Sequence, residues 1–151
     1  MAVITARLNS DRLPGKALVD LAGQPNLERI VRRLQKAHRV DRIVVATTTE
    51  SGDDPIAAWG STRGVPIFRG SPTDVLRRVT QASVGADYVL RATCDCPFLS
   101  WNLVDLAFQV VEREHADSAR VWGMPDRMIP LYGAAEFPVA RACLERMEAE
   151  V

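Results

Sequence analysis

Neither sign of charge predominates in this sequence: 19 Lys and Arg side chains stand against 19 Asp and Glu, and the formal net charge is zero. A non-specific nucleic-acid binder carries a basic excess, so no nucleic-acid partner is expected and any anion site has to be local. Long apolar runs are missing too. Nothing approaches the roughly 18 apolar residues of a membrane span, and Met1 leads straight into a short strand rather than a signal-peptide pattern. A cytoplasmic protein without a membrane partner is the expectation. Cysteine is scarce: Cys94, Cys96 and Cys143 are odd in number, and a Cys-x-Cys with no second pair and no histidine nearby fits no common zinc spacing, so reduced, buried thiols are expected. Histidine is limited to His38 and His115, each placed to close a predicted helix, and neither lies in a predicted site loop, which leaves no convincing general base. There is no internal repeat and no low-complexity linker. With 151 residues, 47% of them hydrophobic, the chain is read as one domain over 1–151 with a real core.

Charge does gather in one place. Ala6 to Lys16, ARLNSDRLPGK, puts Arg7, Arg12 and Lys16 against the single acid Asp11, directly behind an apolar strand predicted over Val3 to Ala6. Pro14 fixes a backbone angle and Gly15 permits a tight turn, so the loop can fold back and present amides beside three cations, a setting for phosphate. A solvated basic turn is the plain alternative.

The rest alternates. Asn26 to His38 carries Leu27, Ile30, Val31, Leu34 and Ala37 at one-sided helical spacing, with Arg29, Arg32, Arg33 and Lys36 on the opposite, solvated face. Arg42 to Thr47 is a β-branched strand, and Asp53, Asp54 and Pro55 read as a helix start capped by carboxylate, with metal binding the lesser alternative. Gly64 ends that helix and Val65 to Phe68 is a strand. Ser71 and Pro72 open a helix over Thr73 to Ser83 whose buried stripe is Val75, Leu76, Val79 and Ala82. Asp87 to Ala92 is the fourth strand, and Ser100 caps a helix whose inner face is Leu103, Leu106, Ala107, Val110 and Val111. Beyond Asp117 come a strand at Ser118 to Trp122, an irregular Pro- and Met-rich stretch, and a helix from Pro138 to about Glu150. Short connections between such elements imply a three-layer α/β/α domain on a mainly parallel sheet.

Several blocks in order, ITARLNSDRLPGKALVDLAGQP, VVATTTESGDDPIAAW, FRGS with DVLRR, and YVLRATCDCPFL, resemble the cytidylyltransferase family that activates acidic sugars, nearest the spore-coat polysaccharide biosynthesis protein F type. The resemblance runs from about Ala2 to Asp117 and implies a glycosyltransferase-A-like, nucleotide-diphospho-sugar transferase fold. It implies transfer of CMP from CTP to a sugar or sugar acid, with release of pyrophosphate, for surface polysaccharide. By that resemblance Ala6, Arg7, Ser10, Arg12 and Lys16 hold the nucleotide and its triphosphate, and Gly70, Ser71 and Asp74 surround base and ribose, although Ser71 and Asp74 also make an ordinary helix-capping pair. Asp95, in Thr93-Cys94-Asp95-Cys96-Pro97, stands where the family's Gly-Asp-Cys-Pro aspartate coordinates Mg²⁺, with a simple turn aspartate as the alternative; Arg12, Lys16 and Asp95 are the expected catalytic set. Arg91 either supports the phosphates or pairs with Asp95. Cys94 replaces a small glycine and is expected to crowd the nucleotide or alter the loop.

Relatives of this type continue well past residue 151 and carry an acidic, glycine-containing segment where MPDRMIPLYGAAEF has Arg127, so the chain reads as C-terminally truncated, with its acceptor site in question. The resemblance also implies a homodimer. Two rival readings remain at this stage: nucleotidyl transfer to another acceptor, such as a pterin or a sugar phosphate, and a truncated, non-catalytic nucleotide-binding or assembly protein.

Overall fold

The computed structural model describes residues 1–119 and 137–150. Four strands, β1 (Ala2–Thr5), β2 (Ile43–Thr48), β3 (Ile67–Gly70) and β4 (Tyr88–Thr93), run parallel, and β5 (Pro138–Ala140) pairs antiparallel with β4, in the spatial order β3-β2-β1-β4-β5. Five helices join them: α1 (Asn26–Leu34), α2 (Asp54–Arg63), α3 (Val75–Ala82), α4 (Trp101–Glu114) and α5 (Arg141–Ala149).

Strand alternation sorts the apolar side chains onto two faces. Ala2, Ile4, Val45, Leu90 and Ala92 pack with Leu27, Ile30 and Leu34 of α1, Ile56 and Trp59 of α2, and Val104, Phe108 and Val111 of α4. On the other face Val3, Val44, Ala46 and Val89 pack with Val79 of α3, joined by Ala82 and by Leu144 of α5. Both faces of the sheet are covered, which is why the strands read as nearly continuous apolar runs. The expected α/β/α layering and mainly parallel sheet are what the chain adopts.

Several local expectations shift. Helix α1 stops at Leu34, so His38 closes nothing; its backbone N–H donates instead to Asp105 Oδ2 at 3.0 Å. His115 does end α4, in the left-handed region at φ 49°. The arginine face of α1 is only partly solvated: Arg29 Nε donates to the Leu21 carbonyl and Arg33 Nε to the Leu99 carbonyl, each at 2.6 Å. Their aliphatic stems cover the surface while their heads tie down loops. On α4 the inner face is Val104, Ala107, Phe108 and Val111, with Leu106 46% exposed, because the bulk of Phe108 turns inward. Pro138 starts a strand rather than a helix; an outermost strand tolerates a residue with no N–H to donate. Of the strand expected at Ser118 to Trp122, Ser118 bridges Val139, while 120–122 lie outside the described residues, as does Arg127.

The order of the strands places the crevice. After β1 the chain steps to β2 and β3 on one side, then returns to lay β4 on the other, so the winding reverses between β1 and β4. Ligands in such sheets sit at that switch point, beyond the carboxyl ends of the strands. Thr5 and Thr93 are register partners there, and the loops leaving them start side by side.

Candidate functional site

The loop after β1 is held from within and from outside. The N–H groups of Ser10 and Gly15 donate to the Leu8 carbonyl at 3.0 and 2.8 Å, and Gly15 takes φ 75°, a conformation in which a side chain is strained. From outside, the Leu8 N–H donates to Asp53 Oδ1 at 2.7 Å, and Thr48 Oγ1 donates to Asp53 Oδ2. Asp53 was expected to cap α2. It sits at the N-cap but makes no capping bond, because its 3%-exposed carboxylate is spent on the loop. A carboxylate with two charge-assisted bonds, removed from a buried place, costs about 3 kcal/mol. Asp53→Ala is therefore expected to lower the melting temperature by on the order of 10 °C. Asp54→Ala, which breaks only an exposed pair with Arg69 at 2.7 Å, should barely move it. Equal melting temperatures for the two variants would refute the tie.

The loop after β4 brings Asp95 to the same place. Its Oδ1 is ion-paired with Lys16 Nζ, whereas Arg91, exposed on β4, makes no ion pair with it. Cys94 is buried among core side chains, only 4% exposed, so it borders the crevice without filling it. Beneath both loops lies Asn26, 5% exposed, whose Nδ2 donates to the carbonyls of Lys16 at 3.0 Å and Cys94 at 2.7 Å.

The third segment behaves differently from expectation. Asp74 caps α3 by accepting from the Arg77 N–H at 2.8 Å, and Ser71 Oγ accepts from the Asp74 N–H at 3.0 Å. The helix packs at a rotation different from the expected stripe, with Val75 37% exposed and Arg78 3% exposed. A Cβ on Gly70 would stand 2.8 Å from Phe68 Cε1 and 3.1 Å from Arg78 Cγ, and the Arg78 guanidinium donates to the Ser71 carbonyl. Gly70 and Ser71 thus hold an arginine in place, and among the described residues neither they nor Asp74 line the crevice. Arg78 does line it, and its Nε has no partner. Burial pushes the Arg78 pKa down; Asp53 opposes this, Arg7 and Arg91 add to it, and Asp74 opposes it again.

The crevice has a volume of about 570 Å³. Five cationic side chains, Arg7, Arg12, Lys16, Arg78 and Arg91, and two acids, Asp11 and Asp95, line it together with Ala6 and Ser10. Among the described residues none of Arg7, Arg12 and Arg91 is paired with a carboxylate. Such an excess of fixed positive charge in a cleft favours a polyanion small enough to enter it.

The sequence profile described as cytidylyltransferase matches residues 1–132. The chain belongs to the cytidylyltransferase family. Its similarities are consistent with that. It is 32% identical over 129 residues to the spore coat polysaccharide biosynthesis protein SpsF of Bacillus subtilis, covering 82% of this chain and 54% of that protein. It is 37% identical over 101 residues to the 3-deoxy-manno-octulosonate cytidylyltransferase of Maricaulis maris, covering 66% and 39%. A solved cytidylyltransferase from Leptospira borgpetersenii superposes with a TM-score of 0.87 at 25% identity, over 99% of this chain and 63% of that one. CMP:2-keto-3-deoxy-manno-octonic acid synthetase, solved with CTP, gives 0.75 over 98% and 76%; at 18% identity that likeness speaks to the fold, the nucleotide-diphospho-sugar transferase type. The chain spans about half the length of the curated relatives it matches.

Within this cytidylyltransferase domain, then, seven of the ten residues singled out from sequence converge on one crevice: Ala6, Arg7, Ser10, Arg12, Lys16, Arg91 and Asp95. Arg78 escapes a reading of the sequence: its one signal is its place beside Val79, which is buried with it, whereas an arginine on a helix is ordinarily solvated. Asn26 carried no such signal, since its partners are backbone carbonyls distant in sequence.

Proposed function

We propose that the chain transfers CMP from CTP to a sugar or sugar acid, releasing pyrophosphate, in surface polysaccharide synthesis. One observation carries this: Lys16 and Asp95, ion-paired with each other, line a crevice to which Arg7, Arg12, Arg78 and Arg91 add four further cations. A triphosphate is the polyanion that this charge and size suit, and the names of the curated relatives support CTP and an acidic sugar. The acceptor hydroxyl bonds to the α-phosphorus and gives up its proton to water, as the bond from that phosphorus to the β-bridging oxygen breaks and its electron pair leaves on pyrophosphate. Arg7 and Arg12 offer forked donors to phosphate oxygens, Lys16 a compact charge to the leaving pyrophosphate, and the β1 and β4 loops hold these groups in place before substrate arrives.

Mg²⁺ fits the donor set. Asp95 is exposed, lines the crevice and meets Lys16 through Oδ1, and Mg²⁺ commonly takes one or two carboxylates with water and substrate phosphates completing its shell. Among the described residues no cluster of three side-chain ligands exists, which suits Mg²⁺ brought with a nucleotide better than an all-protein metal cage. When bound, it would neutralise charge on the phosphates.

The test is a melting series with Mg²⁺ and each of CTP, UTP, ATP and GTP, followed by pyrophosphate assay with sugar acids. CTP at about 100 times its dissociation constant should add roughly 2.7 kcal/mol, with the other nucleotides adding less. Preference for a purine nucleotide, or CTP binding without pyrophosphate release on any sugar or sugar acid, refutes the reading.

A further inference from the structure

We infer that Asn26 is a positioning residue that fixes Lys16 and Asp95 relative to each other, an inference resting on the transfer reading above. Its side-chain amide joins the main chains of both loops beneath the Lys16–Asp95 pair: Nδ2 donates to the Lys16 carbonyl at 3.0 Å and to the Cys94 carbonyl, one residue before Asp95, at 2.7 Å. Both neighbours are acceptors, so only the NH₂ end can face them. The other end, Oδ1, is buried with no partner.

That orphaned oxygen is the telling feature. A buried amide left half satisfied is costly, and an apolar side chain there would carry no orphaned oxygen of its own. The position also lies at the first residue of α1, whose backbone already meets the β1 loop: the Asn26 N–H donates to the Val19 carbonyl and the Leu27 N–H to the Ala17 carbonyl, both at 2.9 Å. The β1 loop therefore has an anchor without the side chain. What the side chain adds is the link to β4. The link matters because Lys16 and Asp95 pair with each other here, while in the proposed reaction Lys16 turns to pyrophosphate and Asp95 to metal. With both main chains held, only the side-chain tips have to move.

Asn26→Leu keeps the forked outline and removes both donors and the orphaned oxygen, but it adds volume and leaves the Lys16 and Cys94 carbonyls without this donor. The chain should still fold, with a melting temperature lowered by several degrees, and activity and exchange are read well below it. Its kcat should fall about 10- to 100-fold, the range for outer partners that orient reacting groups. KM for CTP should change much less, since the cations remain. Amide hydrogen exchange should rise together in residues 16–18 and 94–96. An unchanged kcat, or faster exchange in one loop only, overturns the inference. Should Asn26→Leu fail to fold, the wild-type chain decides: slow exchange of the Asn26 side-chain amide protons, with NMR contacts to both loops, supports the clamp, and fast exchange overturns it. A wild-type chain that releases no pyrophosphate from CTP counts against the transfer reading instead, and the clamp is then judged on hydrogen exchange alone.

Discussion

Replacing Lys16 by alanine is expected to lower pyrophosphate release from CTP at least a hundredfold while leaving the fold intact. Losing one well-placed charge that stabilises a developing anion costs on the order of 3 kcal/mol in the transition state, which is about that factor. The stability side is separable. The ion pair with Asp95 joins a side chain that is 22% exposed to one that is 56% exposed, and pairs this open contribute less than about 1 kcal/mol. The melting temperature should therefore move little as turnover collapses. Lys16→Arg should recover only part, because a planar fork does not place charge as a compact ammonium does. Asp95→Asn should lose turnover comparably and, unlike Lys16→Ala, should weaken the response to added Mg²⁺. Wild-type turnover in Lys16→Ala would return the loop to the status of a solvated basic turn.

How far the site is readable without coordinates depends on how local its causes are. Arg7, Arg12, Lys16 and Gly15 sit within ten residues, and turn chemistry and charge density are both sequence-local signals, so that loop stands out. Asp95 stands out through the resemblance of Thr93-Cys94-Asp95-Cys96-Pro97 to the family's motif, and its place at a strand end suits it. What cannot be read is which strands are neighbours: the switch between β1 and β4 that sets Lys16 against Asp95 follows from the order β3-β2-β1-β4-β5, a tertiary outcome. The same holds for side chains whose partners are backbone groups far along the chain. Arg33 looks solvated by helical spacing, yet donates to the Leu99 carbonyl, 66 residues away, and Asp53 looks like a cap yet serves Leu8, 45 residues away. Gly70 illustrates a third limit. Its lack of a side chain suggests room for a nucleotide, whereas the space is taken by Phe68 and Arg78. Apolar stripes locate the helices well but fix their rotation only to within a residue, which is how α3 came to hide Arg78 while exposing Val75.

Arg78→Met is expected to weaken CTP binding by roughly 10- to 100-fold without lowering the melting temperature. The first half follows from a charge-assisted bond of about 1.5–3 kcal/mol between the crevice-lining guanidinium and the nucleotide. The second half follows from the balance around the side chain. Desolvation and the like charges of Arg7 and Arg91 outweigh the carboxylates of Asp53 and Asp74, since the Arg78 pKa is pushed down. A charge disfavoured by its surroundings can be removed without loss of stability, and apolar replacements of buried charges are often neutral or stabilising. Methionine also keeps an unbranched stem to pack against Gly70, so the contact that forbids a Cβ there survives. Arg78→Lys separates charge from geometry: it restores the cation but not the fork, and should recover only part of the affinity. Calorimetric titration of CTP into the three proteins, with melting curves beside it, reads both quantities. A large fall in melting temperature with unchanged affinity would make Arg78 a structural strut, held for Ser71 rather than for the ligand. Unchanged affinity with higher stability would leave its burial without a purpose. Only loss of affinity at undiminished stability fits an arginine kept, against its own desolvation, to meet an anion.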